Sequence, residues 1–313
     1  MCKYSLLDPK TDFIFKLIFG NEKHPKILIS FLNSVIKPTN KIVSVKIKNT
    51  DLEKKHLEDK FSRLDIMATT SNNEIVNIEI QLKDEKNMIK RSLYYLSKMY
   101  SSQLSTGENY KILPRTIAIN ILRFNYLEEE SYHNAYRFKN IKNNQELTDV
   151  LELHFIELPK FDENKEGKLL IENLKKLDML KAWTLFLKEP TNEHILELEN
   201  NIEELKEAKK ELTVISADEK NRILYDMREA SLHDRVSALE SAEEFGYQKA
   251  QKEIEKALKR EEQAQKEKEK ALEREKKLLK VSIKALLSAN MPISKIAEIL
   301  KVSKEVIEWV KNN

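Results

Sequence analysis

Two short apolar runs joined by a polar turn constrain this chain most: Arg63-Leu64-Asp65-Ile66-Met67, then Ile75-Val76-Asn77-Ile78-Glu79-Ile80-Gln81-Leu82. Each run carries one carboxylate among apolar neighbours. Strand side chains alternate between faces. Ile78, Ile80 and Leu82 therefore point one way and Glu79 and Gln81 the other, while Leu64 and Ile66 sit opposite Asp65. A loop at Ser71-Asn72-Asn73 would put Asp65 directly across from Glu79, roughly 5 Å apart at Cβ. Like charges that close repel unless a proton or a cation lies between them. A hard divalent ion such as Mg²⁺ suits the pair, because it takes one or two carboxylates and keeps most of its waters for a substrate. The plainer alternative is a pair of solvated acids on the open face of an antiparallel sheet.

The flanking pattern supplies a fold. Thr11 to Gly20 reads as a short helix with Thr11 as N-cap and Gly20 as its stop. Ile27, Leu28, Phe31, Leu32, Val35 and Ile36 recur at helical spacing, with Pro38 just beyond. Ile42 to Ile47 reads as a strand, followed by the acidic hairpin. Ile89, Leu93, Leu96, Tyr100 and Leu104 mark an amphipathic helix over Asn87–Leu104, closed by Gly107. Arg115 to Leu122 is almost unbroken apolar strand, as expected where both faces are covered. The order is helix, three strands, helix, strand, and a crossover helix implies that the third and fourth strands run parallel.

These residues resemble the PD-(D/E)xK nuclease core and, more narrowly, the Rpn family of recombination-promoting nucleases and transposase-like proteins. The matching stretches are Thr11-Asp12, Phe15-Lys16 and Phe19-Gly20, then Leu64-Asp65-Ile66 and Asn77-Ile78-Glu79-Ile80-Gln81. They continue with Arg91, Tyr94-Tyr95, Gly107, Tyr110 and Glu157-Leu158-Pro159-Lys160-Phe161. The resemblance implies an α/β (α+β) restriction-endonuclease-like core, a mixed sheet flanked by helices, with a helical C-terminal extension. It also implies that Asp65 and Glu79 bind Mg²⁺, or Mn²⁺ in its place, with the carbonyl of Ile80 as a backbone ligand. Gln81 stands where the wider superfamily has lysine; it can orient a water by hydrogen bonding but adds no charge. The missing cation is then sought among Arg91, Lys83 and Lys16, and Arg91 is chosen because it also matches the family. Asp12 matches an acid that the first core helix often brings near the metal. Its rival role is an i,i+4 pair with Lys16, worth only tenths of a kcal/mol.

Bulk properties bound the rest. The chain has 313 residues, enough for one globular domain plus accessory helices. With four glycines and 34% charged residues, the part beyond the core is expected to be helix-rich. A net charge of +3 is too small to decide for or against nucleic acid, which needs a local basic face. Cys2 is the only cysteine, so disulfides and thiolate clusters within one chain are excluded. No H-x-x-x-H spacing points to a histidine metal site. The N-terminus lacks a long apolar region and no stretch of 18 apolar residues occurs, so a cytoplasmic protein without a membrane partner is expected.

The domains expected are a nuclease-like core over 1–160, helical completion over 161–245, a charged arm over 246–280 and a compact tail over 281–313. Lys168 to Leu212 reads as helix, broken at Pro190. In the arm, Ala250, Ala257, Ala264, Ala271 and Leu278 recur every seven residues, but Glu261, Lys268 and Glu275 interrupt the seam. A solvated arm held by Glu/Lys pairs, or a weak coiled coil joining two copies, follows. The tail resembles a helix-turn-helix, with Ala297, a turn near Ser303 and an anchor at Ile307. Yet Lys301 stands where glycine is usual, and Glu305 and Glu308 offset Lys304 and Lys311, which favours docking to protein over reading DNA. Two functions are carried forward. One is a Mg²⁺-dependent DNA endonuclease of recombination or transposition, with Asp65, Glu79, Gln81, Asp12 and Arg91 at its site. The other is a non-catalytic DNA- or protein-binding factor that keeps the fold. A nucleophilic hydrolase is disfavoured by the lack of a G-x-S-x-G elbow.

Overall fold

The apolar run Thr116–Leu122 is buried at every position and forms a central strand of a six-stranded sheet. The computed structural model describes residues 5–48 and 66–313. In chain order the elements begin with α1 (Asp12–Phe19), α2 (Pro25–Ile36), β1 (Val45–Lys48), β2 (Ile66–Thr70), β3 (Ile75–Gln81), α3 (Met88–Ser101) and β4 (Thr116–Leu122). They continue with β5 (His133–Lys139), β6 (Glu146–Glu157), α4 (Glu163–Glu172), α5 (Met179–Lys188), α6 (Glu193–Leu198) and α7 (Glu203–Ala217). The last three are α8 (Glu219–Ser288), α9 (Ile293–Leu300) and α10 (Lys304–Asn312). The sheet order is β1-β2-β3-β4-β6-β5. The β3–β4 and β4–β6 pairs are parallel and the others antiparallel, so the expected mixed sheet flanked by helices is what forms.

The hairpin turn falls where the polar residues place it. Thr70 N–H donates to the Glu74 carbonyl at 2.9 Å, and Asn73 adopts φ +59°, a left-handed conformation that asparagine tolerates. The β2–β3 register follows, with Ile66 opposite Ile78 and Met67 opposite Asn77. Because strand residues alternate, the two faces of the sheet meet different cores. Ile66, Ala68, Val76, Ile78, Ile80, Ile117, Ile119 and Ile121 pack with α1, α2, α5, α6 and α7. Ile75, Ala118, Leu122, Leu153 and Phe155 pack instead under Met88, Leu96 and Met99 of α3. On the first face Phe15, Phe19, Phe31 and Trp183 form one aromatic cluster, with Phe15 and Phe19 stacked at 4.5 Å and Phe19 edge-on to Trp183 at 5.4 Å. Burying each such ring stabilises the fold by about 1.5–3 kcal/mol.

Several local expectations change. Thr11 occupies the N-cap of α1, but its hydroxyl donates to the Asp8 carbonyl rather than accepting from the helix. The stretch after Leu122, for which the sequence pattern names no element, forms the β5–β6 hairpin. Its signal is weak because β5 is an edge strand with mostly exposed or half-exposed side chains and a register shift between Tyr136 and Phe138. The predicted helix from Lys168 to Leu212 is several short helices, with Asp178 and Asn192 capping α5 and α6 through their side chains.

The chain divides into two units, Met1–His233 and Asp234–Asn313. In the second, residues 237–278 of α8 are exposed throughout. Glu255–Lys259, Glu262–Lys266 and Glu273–Lys277 pair at i,i+4 along it, in the order that favours a helix. The segment Val281–Leu287, which opens the expected tail, is the end of α8. Ile283, Ile296, Ile307 and Val310 bury together to join that end to α9 and α10. Lys301 takes φ +52° at the turn, the left-handed role for which glycine is usual. Among the described residues no helix is long and apolar enough to cross a membrane.

Candidate active site

Glu79 sits third from the end of β3, on the face covered by α3, and is 4% exposed. A carboxylate in so dry a place needs compensation. Two side chains provide it at one oxygen: Arg91 Nη2 lies 2.5 Å from Glu79 Oε1, and the Gln81 side-chain amide donates to that same oxygen. Gln81 reaches it because i and i+2 share a strand face. Arg91 reaches it because α3, the crossover between β3 and β4, lies over that face. Arg91 is held further by the Tyr95 ring, 5.3 Å away, and Nη1 is 3.9 Å from Glu85. Burial alone would lower the Arg91 pKa, but the charge and hydrogen bond of Glu79 outweigh it, so the guanidinium titrates above its ordinary value.

Polar residues line the neighbouring positions. Asn120 is paired with Glu79 across β3–β4; its Oδ1 accepts from Ser92 of α3 at 3.0 Å and its Nδ2 donates to the His154 carbonyl at 3.2 Å. Asn77, two residues before Glu79 on the same face, is 7% exposed. Among the described residues, Asn77 Oδ1 and Arg91 Nε are buried without a hydrogen-bond partner. An orphaned buried oxygen on the same strand face as a carboxylate fits a hard divalent cation or its water. Among the described residues no group of three or more His, Cys, Asp or Glu converges on one point.

The remaining sequence candidates are placed as follows. Asp65 lies outside the described residues. Ile80 is 7% exposed and its side chain joins the core opposite Glu79. Asp12 opens α1, but its ion pair at 3.5 Å is with Arg228 of α8, whose guanidinium also covers the Phe13 ring at 5.3 Å. Tyr94 is exposed and its ring meets Tyr95 edge-on. The turn leaving β3 after Gln81 borders an open groove of about 1150 Å³, lined by Asp84, Lys86, Ile89, Leu93, Glu128, Glu129, Tyr136 and Phe155 among others.

A second polar cluster escaped the sequence reading. Glu152, buried on β6, accepts from Arg115, from Arg137 Nε at 2.5 Å and from His154 Nε2 at 2.6 Å. His154 Nδ1 in turn lies 3.0 Å from Nε2 of His133, and the two rings stack. Burial would raise the Glu152 pKa, but His154 and then the two arginines hold it down at about 2. Burial first, and then His154, pushes His133 down to about 4. Glu152-x-His154 on one strand face was the only signal in the sequence, since the arginines arrive from other elements. Glu157 does similar work nearby: its Oε1 accepts from the backbone of Tyr126 and Leu127, and Lys160 closes on Oε2 at 2.7 Å.

A family model described as PD-(D/E)XK nuclease family transposase matches residues 9–242. The chain belongs to this family. The match runs from just before α1 into the first part of α8, including Glu79, Gln81 and Arg91, and bears out the resemblance read from the sequence. The tail with α9 and α10 lies beyond it. No curated protein matches the chain, and no solved structure does. In this PD-(D/E)XK transposase-family protein the acid of β3 is therefore a buried carboxylate already neutralised from within the chain.

Proposed function

We propose that this chain is a Mg²⁺-dependent DNA endonuclease acting in recombination or transposition, with Mn²⁺ as a substitute for Mg²⁺. The observation that carries the reading is Glu79, a buried strand-end carboxylate meeting an arginine and a glutamine in a chain of nuclease-family sequence. Asp65 directly precedes Ile66, whose partner across the hairpin is Ile78, the neighbour of Glu79. Asp65, Glu79 and the Ile80 carbonyl are the ligands of this proposal. When bound, the cation supplies a water of lowered pKa and polarises the scissile phosphate.

The chain's own groups do the rest. Gln81 presents its amide beside Glu79 and orients a water by hydrogen bonding, in place of the superfamily lysine. Arg91 brings the positive charge that Gln81 lacks and offsets the charge growing on the phosphate. Asp12 steadies α1 through Arg228 and has a supporting place at the site. The exposed arm over 246–280 joins a second copy, and the protein works on DNA in the cytoplasm. The experiment is plasmid nicking with Mg²⁺, compared among the parent, Asp65→Ala and Glu79→Ala proteins with equal circular dichroism. Loss of nicking in both variants supports the reading; equal nicking by all three removes it.

A non-catalytic factor is the second reading, favoured by the Arg91–Glu79 pair, which by itself is also a good structural ion pair. It predicts DNA or protein binding with no metal-dependent cut.

A further inference from the structure

We propose that Arg91 is an internal cation that closes the Glu79 site, and that it must move from Glu79 toward Glu85 before a divalent ion can take the carboxylate. This rests on the metal-site reading above and adds a resting state to it.

Three observations carry the inference. First, Glu79 Oε1 is doubly engaged, by Arg91 Nη2 at 2.5 Å and by the Gln81 amide. A carboxylate oxygen offers two lone pairs in its plane, so Oε1 has none left for a metal, and an ion on Oε2 would have to share the one carboxylate charge with the guanidinium. Second, a divalent ion binds such an oxygen at about 2 Å. The guanidinium would then face a doubly charged ion across that oxygen, in a place where solvent screens little. The two cations compete. Third, the latched arginine is imperfectly satisfied and has somewhere to go. Its Nε is buried without a hydrogen-bond partner among the described residues, which penalises the closed pose. Glu85, on the turn between β3 and α3, stands 3.9 Å from Nη1, and the Tyr95 ring at 5.3 Å gives a platform across which the guanidinium can slide. A short swing exchanges one carboxylate for another and keeps the charge paired. It also leaves Arg91 on the rim of the site, available to a phosphate.

The test is Mn²⁺ binding to the full-length protein, followed by the loss of the free-ion electron paramagnetic resonance signal, with no DNA present. Arg91→Met should bind Mn²⁺ at least about tenfold more tightly than the parent, and Arg91→Lys by an intermediate factor. Glu85→Gln, which removes the alternative seat, should bind it several-fold more weakly. Arg91→Lys guards against a folding defect in the methionine variant. Equal or weaker binding by both arginine variants, with Mn²⁺ still bound by the parent, overturns the latch and leaves the metal site standing. No Mn²⁺ bound by the parent or by either arginine variant overturns the metal site, and the latch with it.

Discussion

Removing Arg91 should cost the fold stability in a way that Glu79 controls. In Arg91→Met the carboxylate, 4% exposed in the parent, keeps Gln81 and loses the guanidinium that pairs with it. Breaking one half of a buried pair costs about 3–5 kcal/mol. The Arg91 side chain is 25% exposed, which moves the expectation to about 3 kcal/mol, the low end of that range. In Glu79→Gln/Arg91→Met neither charge of the pair remains, so the double variant should recover about half of the loss and give a coupling of at least about 1.5 kcal/mol, larger by whatever Glu79→Gln costs alone. Urea unfolding of the four proteins at pH 7 measures the cycle. Millimolar Mn²⁺ should then restore stability to Arg91→Met more than to the parent, because a ligand that binds only the folded state stabilises it by mass action. A loss under about 0.5 kcal/mol, or two single losses that simply add, would refute the view that these groups neutralise each other.

Acid should weaken the protein in two stages. The folded His133 pKa is depressed to about 4, so its contribution is complete above about pH 6.5 and fades as pH falls toward 4. Glu152 is depressed to about 2, so its contribution, about 3 kcal/mol, is complete above about pH 4.5 and fades toward pH 2. His133→Phe should flatten the upper limb of stability against pH and Glu152→Gln the lower; unchanged limbs contradict the assignment. Lys160→Met removes the cation that meets Glu157 and the carbonyls of Leu127 and Glu129, so limited proteolysis should cut residues 124–131 faster than in the parent. Phe19→Ala opens a cavity between Phe15, Phe31 and Trp183 and should cost about 3–5 kcal/mol by urea unfolding.

What could be read from the residues was whatever local pattern decides. Alternation gave β3 and its two faces, the continuous apolar run gave β4, and the polar residues between Met67 and Ile75 gave the turn. The crossover helix implied the parallel β3–β4 pair. The β5–β6 hairpin was illegible because an edge strand alternates weakly when solvent wets much of it. Long-range pairings were illegible for another reason: nothing near Glu152 in the chain announces Arg115 or Arg137, and nothing near Asp12 announces Arg228. At the candidate site, Glu79 and Gln81 stood out by their setting, whereas Arg91 was picked from the resemblance alone. Its ion pair with Glu79 is a product of packing α3 across the sheet. The carboxylate at position 65, prominent in the sequence, lies outside the described residues.

The central claim is that Glu79 holds a catalytic cation, and crystals grown with Mn²⁺ test it most directly. The account predicts an anomalous peak about 2.0–2.3 Å from a Glu79 carboxylate oxygen, with Asp65 and the Ile80 carbonyl as further ligands and Arg91 turned toward Glu85. Crystals saturated with Mn²⁺ that show no peak there, with Arg91 still closed on Glu79, would contradict it.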